Sequence, residues 1–326
     1  MKIGFIADIH IKLEQKGVPE DWARARFRKL FGEIFKQAEE VDAWVLGGDI
    51  FDKVPSMSEL ELYFELISRA TFRDVPVYII PGNHESVKKN TTFLTRLKYS
   101  SRAVNNNLII FDDYYTGSAD DIPVDFIPYN KLKEFADGKC THEFSNRVLV
   151  THVRGEIPPH VKPEVPLELF ERWDVVLAGD LHSYDNCQRN ILYPGSPVTT
   201  SFHRTLVDTG FIILDTDTLE HEWRKFEVPQ LIRKTVKAGE PTPQTDYHHT
   251  VYEVEGSLTE LASLEAEGLI DKKIIRKTTD TSLMLDPKMS MRDETVEYLT
   301  YILQLDEQTI ESVLTVYDNE TQHFVS

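Results

Sequence analysis

The stretch VYIIPGNHES, residues 77–86, decides how this chain is read. An apolar run from Val77 to Ile80 stops at Pro81 and Gly82, and Asn83, His84 and Glu85 follow in a row. A short apolar run bounded by turn residues reads as a buried strand. Here the strand gives way to a tight turn that presents three polar, metal-competent side chains.

The same event recurs along the chain. Asp8 and His10 follow KIGFIA (2–7), and Asp49 and Asp52 follow AWVLG (43–47). His152 lies at the end of RVLVTHV (147–153), and Asp180 and His182 follow DVVLAG (174–179). In an open α/β sheet, ligands gather beyond the carboxyl ends of the strands. Gly47, Gly48, Gly82 and Gly179 allow sharp turns and close approach there. Asp, Asn and His supply mixed oxygen and nitrogen donors without thiolate, a set that suits manganese, iron or zinc better than calcium or magnesium alone. The candidates are Asp8, His10, Asp49, Asn83, His152, Asp180 and His182. They are too many for one ion and suit two ions that share a carboxylate. Two ions about 4 Å apart are a recurrent device for cleaving phosphate esters. Taken singly, each motif has an ordinary explanation: a turn with a satisfied histidine, an Asn tolerating left-handed backbone, or helix caps at Asp49 and Asp52. Five in order, each at an expected strand end, do not.

Between the first strands, residues 21–39 put Ala23, Phe27, Leu30, Phe31, Ile34, Phe35 and Ala38 on one helical face. Ser56 with Glu59 forms a capping box that opens a second helix. Alternation of strand and helix implies a parallel sheet with crossover helices. LIIFD (108–112), VDFIPY (124–129), RVLVTHV, DVVLAG, NILYPG (190–195) and GFIILDT (210–216) follow with less helix between them. They are expected to form a second sheet packed on the first. The fold class is thus α/β (α+β), a two-sheet sandwich flanked by helices, with a small α/β capping domain and helices at the C-terminus.

Composition shifts near Phe226. Residues 229–247 read as a linker, TVYEVEG (250–256) and KKIIRK (272–277) as strands around a short helix, and 290–316 as two helices. The expected division is 1–228, 229–287 and 288–326. Ser290 is expected to cap a helix with Val296, Tyr298, Leu299, Ile302 and Leu303 on one apolar stripe. Asp306 opens another carrying Ile310, Val313, Leu314 and Tyr317.

With 36 Lys and Arg against 54 Asp and Glu, the formal charge is −18. That field repels phosphate backbones, so a nucleic-acid substrate requires metal ions or a basic partner. Arg24, Arg26, Arg28 and Lys29 read as the solvated outer face of the first helix, a DNA contact being the alternative, whereas Arg154, two residues beyond His152, is the better candidate for touching phosphate. Cys140 and Cys187 are isolated, which points to a reducing compartment and no structural zinc. No stretch approaches the roughly 20 apolar residues of a membrane span, so no membrane partner is expected.

In order, Asp8-Ile9-His10, Gly48-Asp49-Ile50-Phe51-Asp52, Gly82-Asn83-His84-Glu85, His152 and Gly179-Asp180-Leu181-His182 resemble the motifs of the calcineurin-like metallophosphoesterases. GDIFD (48–52), YPGSP (193–197), Phe202 and GFIILD (210–215) resemble the SbcD-type nuclease subunits within that superfamily. The resemblance covers residues 1–225. It implies that Asp8, His10 and His182 hold one ion, that Asn83 and His152 hold the second, and that Asp49 bridges both. It also implies that His84 faces the scissile phosphate and assists the leaving group without binding metal. Two positions depart from the pattern: Asp180 stands where the family has a histidine, and Thr151 where it often has glycine. Asp180 is expected either to bind the second ion as a third carboxylate, lowering the charge of the site, or to point to solvent. Glu85 is expected to cap the next helix, the alternative being that it orients His84.

The implied cofactors are two divalent ions, manganese or magnesium. The implied partners are DNA and an SbcC-type ATPase that docks on the C-terminal part, with a homodimer inside a heterotetramer. The implied setting is the cytoplasm of a bacterial or phage-infected cell, in DNA recombination, repair or replication. Two other functions fit the same motifs: a phosphatase or phosphodiesterase acting on proteins or nucleotides, and a scaffold that kept the fold without catalysis.

Overall fold

The computed structural model describes every residue except 71–74, 89–90, 120, 245–246, 263–268, 276–288 and 324–326. Lys2–Ile6 (β1), Glu20–Lys36 (α1), Ala43–Leu46 (β2), Met57–Ala70 (α2) and Val77–Ile79 (β3) alternate strand and helix. The hairpin Ser86–Lys88 (β4) and Thr91–Thr92 (β5), then Leu94–Val104 (α3), lead to Leu108–Ile110 (β6). β1, β2, β3 and β6 pair in parallel. Their side chains alternate between two apolar layers, as a strand's period of two requires. Trp44 and Leu46 meet Phe27 and Phe31 of α1 and Leu62 and Tyr63 of α2. Ala43 and Val45 face the other way, into a layer with Ile3, Phe5, Phe126, Val150 and Leu177.

That second layer is the inside of a sandwich. Tyr115–Thr116 (β7), Asp125–Ile127 (β8), Val148–His152 (β9), Val175–Gly179 (β10) and Ile191–Leu192 (β11) form the second sheet, in the order β11-β10-β9-β8-β7. The helix Tyr129–Ala136 (α4) follows β8. Outside this sheet, Leu149 and Val176 pack with Leu132, Phe170 and Trp173.

Gly210–Asp215 (β12) and His221–Lys225 (β13) complete the first sheet, in the order β13-β12-β1-β2-β3-β6. LIIFD and GFIILDT therefore belong to the first sheet and not, as expected, to the second. β12 lies antiparallel beside β1, from Lys2↔Asp215 to Phe5↔Ile212, and satisfies a strand edge that would otherwise be buried without partners. An apolar run announces a buried strand but not its neighbour.

The chain forms two compact units: Met1–Ile232 with Thr245–His249, and Arg233–Gln244 with Thr250–Ser326. Leu231–Lys237 (β14), His249–Gly256 (β15) and Ile270–Ile275 (β16) pair in that order, with Leu258–Ala262 (α5) between the last two. The segment read as a linker thus carries a strand. Arg233, Lys234 and Lys237 disguise it, and an edge strand tolerates such charges. The last two residues of KKIIRK and the 287/288 boundary lie outside the described residues.

Met291–Glu297 (α6), a π turn at Tyr298–Ile302 and Glu307–His323 (α7) end the second unit. Ser290 accepts from the Asp293 N–H at 3.2 Å, and Asp306 Oδ1 from the Thr309 N–H at 2.9 Å, so both helices start on a side-chain cap. Leu299, Ile310 and Leu314 form a small core with Val296, Leu303 and Leu305. Tyr298, expected on the same stripe as Leu299, is 45% exposed. The π turn shifts the helical phase at that point.

Candidate metal centre

The loops leaving β1 and β2 run side by side. The Asp8 N–H donates to the Gly48 carbonyl at 3.0 Å, and the His10 N–H to the Asp49 carbonyl at 2.9 Å. Asp8, His10, Asp49 and Asp180 all adopt positive φ, at 57°, 47°, 51° and 102°. Left-handed backbone at non-glycine residues is costly and persists where the surroundings over-determine it. Gly48 and Gly82 show how tight the site is. A Cβ on Gly48 would lie 2.6 Å from His152 Nδ1, and one on Gly82 would lie 2.2 Å from Asp49 Oδ1.

Three overlapping groups of donors result: Asp8, His10 and His182; His10, Asp49 and His84; and Asp8, Asp49 and His152. Within each group the ligand atoms lie within 4.8 Å of one another. Asp49 Oδ2 is central, 3.5 Å from His152 Nε2, 3.7 Å from His10 Nε2 and 3.9 Å from His84 Nε2. Asp8 and His152 are fully buried. His84 is 37% exposed, so it sits at the rim.

The donors present lone pairs to common points. His152 Nδ1 donates to the Gly47 carbonyl at 2.9 Å, which turns Nε2 toward Asp49 as the atom that would ligate once its proton is displaced. Asn83 Oδ1 lies 2.9 Å from that Nε2. With its oxygen inward, Asn83 faces only acceptors; turned over, its NH₂ would reach Asp49 Oδ2 and His152 Nε2, each at 2.9 Å. Oxygen inward, and with the His152 proton displaced, the group becomes a nest of lone pairs that a cation would satisfy. His10 Nε2 and His182 Nε2 face each other at 3.2 Å, again as donors to a shared point.

Electrostatics agree. Burial holds His10 down at about 3 and lowers His182, so both imidazoles are neutral. Burial raises Asp8 well above the usual carboxylate range. Burial also raises Asp49, but the charge and hydrogen bond of His152 outweigh it and hold the carboxyl well below that range. Burial lowers His152, while Asp49 and Asp8 raise it further and keep its proton on. Those protons do the work of positive charge that a metal ion would do in their place.

Several residues do other than the sequence predicts. Glu85 caps no helix. It is fully buried, and its carboxylate accepts from the N–H groups of Asp49 (2.9 Å), Phe51 (2.9 Å) and Gly82 (2.8 Å). Burial and then Asp49 push its carboxyl up to about 7, against three donors that favour the charged form. Asp52 is no cap either. Its carbonyl accepts from His84 Nδ1 at 2.6 Å, and its carboxylate pairs with Lys12 at 2.8 Å. Thr200, absent from every motif, reaches His182 Nδ1 at 3.2 Å. Arg26 is not a solvated residue. It is 3% exposed, donates to the Thr199 carbonyl at 2.9 Å and lies over the rings of Trp22 and Phe27. Arg24 and Arg28 do lie outside and pair with Glu61 and Glu65. Asp180 is not turned to solvent; its carboxylate accepts from Arg154, and its Oδ1 lies 3.9 Å from His152 Nε2.

The chain belongs to the calcineurin-like phosphoesterase family, which it matches over residues 1–197. It is therefore a hydrolase of phosphoester bonds, from a family that uses divalent metal ions, and its Asp and His groups could bind such ions. Over 331 residues it is 40% identical to the "Probable exonuclease subunit 1" of Escherichia phage T5, covering 96% of this chain and 97% of that one. It is also 29% identical to the "DNA double-strand break repair protein Mre11" of Methanosarcina acetivorans and 27% identical to that of Methanosarcina mazei. Those alignments cover 57% and 78% of this chain but only 31% and 43% of the relatives' own length. The likeness is to the SbcD/Mre11 type, as the motifs implied. No helix among the described residues is long and apolar enough to cross a membrane.

Proposed function

We propose that this chain is the nuclease subunit of an SbcCD-like complex and hydrolyses DNA phosphodiester bonds with two divalent ions, manganese in preference to magnesium. Asp8, His10 and His182 would hold one ion, Asn83 and His152 the other, and Asp49 both. Bound there, the ions supply acidity to a water molecule and neutralise charge on the phosphate. His84 does the protein's share at the leaving group. Its Nδ1 is tethered to the Asp52 carbonyl, and its Nε2, 3.9 Å from Asp49 Oδ2 on a partly exposed ring, can protonate or hydrogen-bond the departing oxygen. The observation that carries the reading is this pairing of a buried, lone-pair-rich cluster with one tethered, half-exposed histidine at its rim. The DNA substrate and the complex rest on the likeness to the phage exonuclease subunit across nearly the whole chain.

The −18 charge argues that the partner supplies most of the basic surface for DNA. Residues 1–228 would form the nuclease domain, 229–287 a small capping domain and 288–326 the ATPase dock. Met291 and Val316, 72% and 62% exposed, give those helices an outward apolar face. The protein would work in the cytoplasm as a homodimer within a heterotetramer. The test is purified protein with manganese and three substrates: duplex DNA, single-stranded DNA and p-nitrophenyl phosphate. DNA cleavage that stops when the metal is chelated is expected. Turnover of p-nitrophenyl phosphate with both DNAs intact would overturn the nuclease reading and favour a phosphatase.

A further inference from the structure

We infer that Asp180 is a positioning residue for Arg154 and not a ligand of the second ion. The pair would present a guanidinium to a phosphate oxygen at the rim of the metal pocket. This inference rests on the phosphoester reading of the centre but not on the identity of the ester.

The two residues meet because their strands are neighbours. β9 and β10 run parallel with His152 opposite Gly179, so the chain leaves both ladders side by side. Arg154 follows His152 by two residues and Asp180 follows Gly179 directly. Arg154 Nε donates to Asp180 Oδ2 at 3.0 Å, and Nη2 donates to Oδ1 at 3.4 Å. One edge of the planar guanidinium is thus spent on the carboxylate. Nη1 takes no protein partner among the described residues. Exposure runs the same way: the Asp180 side chain is 7% exposed and that of Arg154 is 43%. The acid is buried as an anchor, and the base reaches outward.

Asp180 is itself fixed. Its N–H donates to both oxygens of Asp8, at 3.1 and 3.2 Å, and its backbone sits at φ 102°. Aspartate holds that conformation only where contacts enforce it. The contacts join the Asp180 backbone to a donor of the metal cluster and its side chain to Arg154. Its Oδ1 lies 3.9 Å from His152 Nε2, and none of the three donor groups includes it.

Charge points the same way. A third carboxylate on two divalent ions would make the site less positive and weaken its hold on phosphate. Paired with Arg154, Asp180 adds no net charge. With the two ions bound, the carboxylate would screen the guanidinium from their charge. Its remaining donors suit a phosphate oxygen, which guanidinium binds in fixed geometry.

The test compares the parent with Asp180→Ala, Arg154→Ala and the double variant, all loaded with manganese. Metal per chain is measured by mass spectrometry, and the affinity for inorganic phosphate by calorimetry. We expect the parent's metal content in all four proteins. Each single variant should bind phosphate about tenfold more weakly, the scale of one charge-assisted hydrogen bond, and the double variant no more weakly than Arg154→Ala. On a cleavable ester the loss should fall on KM more than on kcat. The inference is overturned if Asp180→Ala loses an ion that Arg154→Ala keeps, or if the two losses multiply in the double variant. A parent that cleaves no DNA while the variants behave as expected would sink the nuclease reading alone.

Discussion

The loops around Asp49 and the hairpin of α6 and α7 are held in opposite ways. Around Asp49, buried polar groups fix one another. Glu85 spans three backbone N–H groups, His152 is tied to the Gly47 carbonyl, and Asp8 receives the N–H of Asp180. Left-handed backbone at Asp8, His10, Asp49 and Asp180 is stored there. In the hairpin, Leu299, Ile310 and Leu314 are the buried apolar core, while Tyr298, Tyr301 and Val316 stay exposed. A network that no side chain can leave without stranding another is suited to holding reactive groups still. A hairpin with a small core and an apolar outer face is suited to being completed by something else. Substitutions should therefore act steeply and non-additively in the first region and mildly in the second.

The largest effect should come from Asp49→Ala. Its Oδ2 lies within 3.9 Å of three imidazoles, and on the proposed assignment the variant should retain neither ion. Metal analysis of the purified variant checks this; a variant holding a full complement of ions would break the comparison. Glu85→Ala comes next. It leaves three buried N–H groups without an acceptor, each worth 1–3 kcal/mol, so the fold should lose about 3 kcal/mol or more in urea titration. Loss of under about 1 kcal/mol would mean the loops are held by something other than this carboxylate.

His84→Ala should keep both ions yet slow cleavage by about a hundredfold, the usual worth of a positioned acid–base group. Near-normal cleavage with normal metal content would remove His84 from the chemistry. Ion uptake should also weaken as pH falls. His152 and Asp8 are raised, so both bind protons more tightly than usual, and an entering ion must displace those protons. Affinity should change about tenfold per pH unit for each proton released, which calorimetry in buffers of different ionisation heat measures. Uptake independent of pH would show that the ion displaces nothing. The smallest effect on chemistry is expected from the hairpin. A chain ending at Pro287 should cut short single strands with manganese as the full chain does, and should fail to co-purify with the proposed ATPase partner. Full-strength co-purification would place the dock elsewhere and erase the contrast between the regions.

The motifs were legible because each is local. In D-x-H, G-N-H-E and G-D-L-H, the polar side chains and the residues that turn the chain are consecutive, so spacing alone puts them on one strand end. Helices α1 and α2 were legible for a similar reason, since the spacing of Phe27, Leu30, Phe31 and Ile34 and the Ser56–Glu59 box are short-range signals. β14 was not, because a charged edge strand carries no clean alternation. The sequence by itself thus determined the strand ends, their donors and the mixed oxygen and nitrogen chemistry.

Only the tertiary structure decided who meets whom. It sent β6 and β12 to the first sheet, buried Arg26 against a carbonyl 173 residues away, and set Glu85 under backbone 36 residues away. It also turned Asp180 to Arg154 across 26 residues. A polar side chain's role is fixed by the partner that satisfies it when water is removed. That partner arrives through packing of the whole sandwich, which no local pattern records.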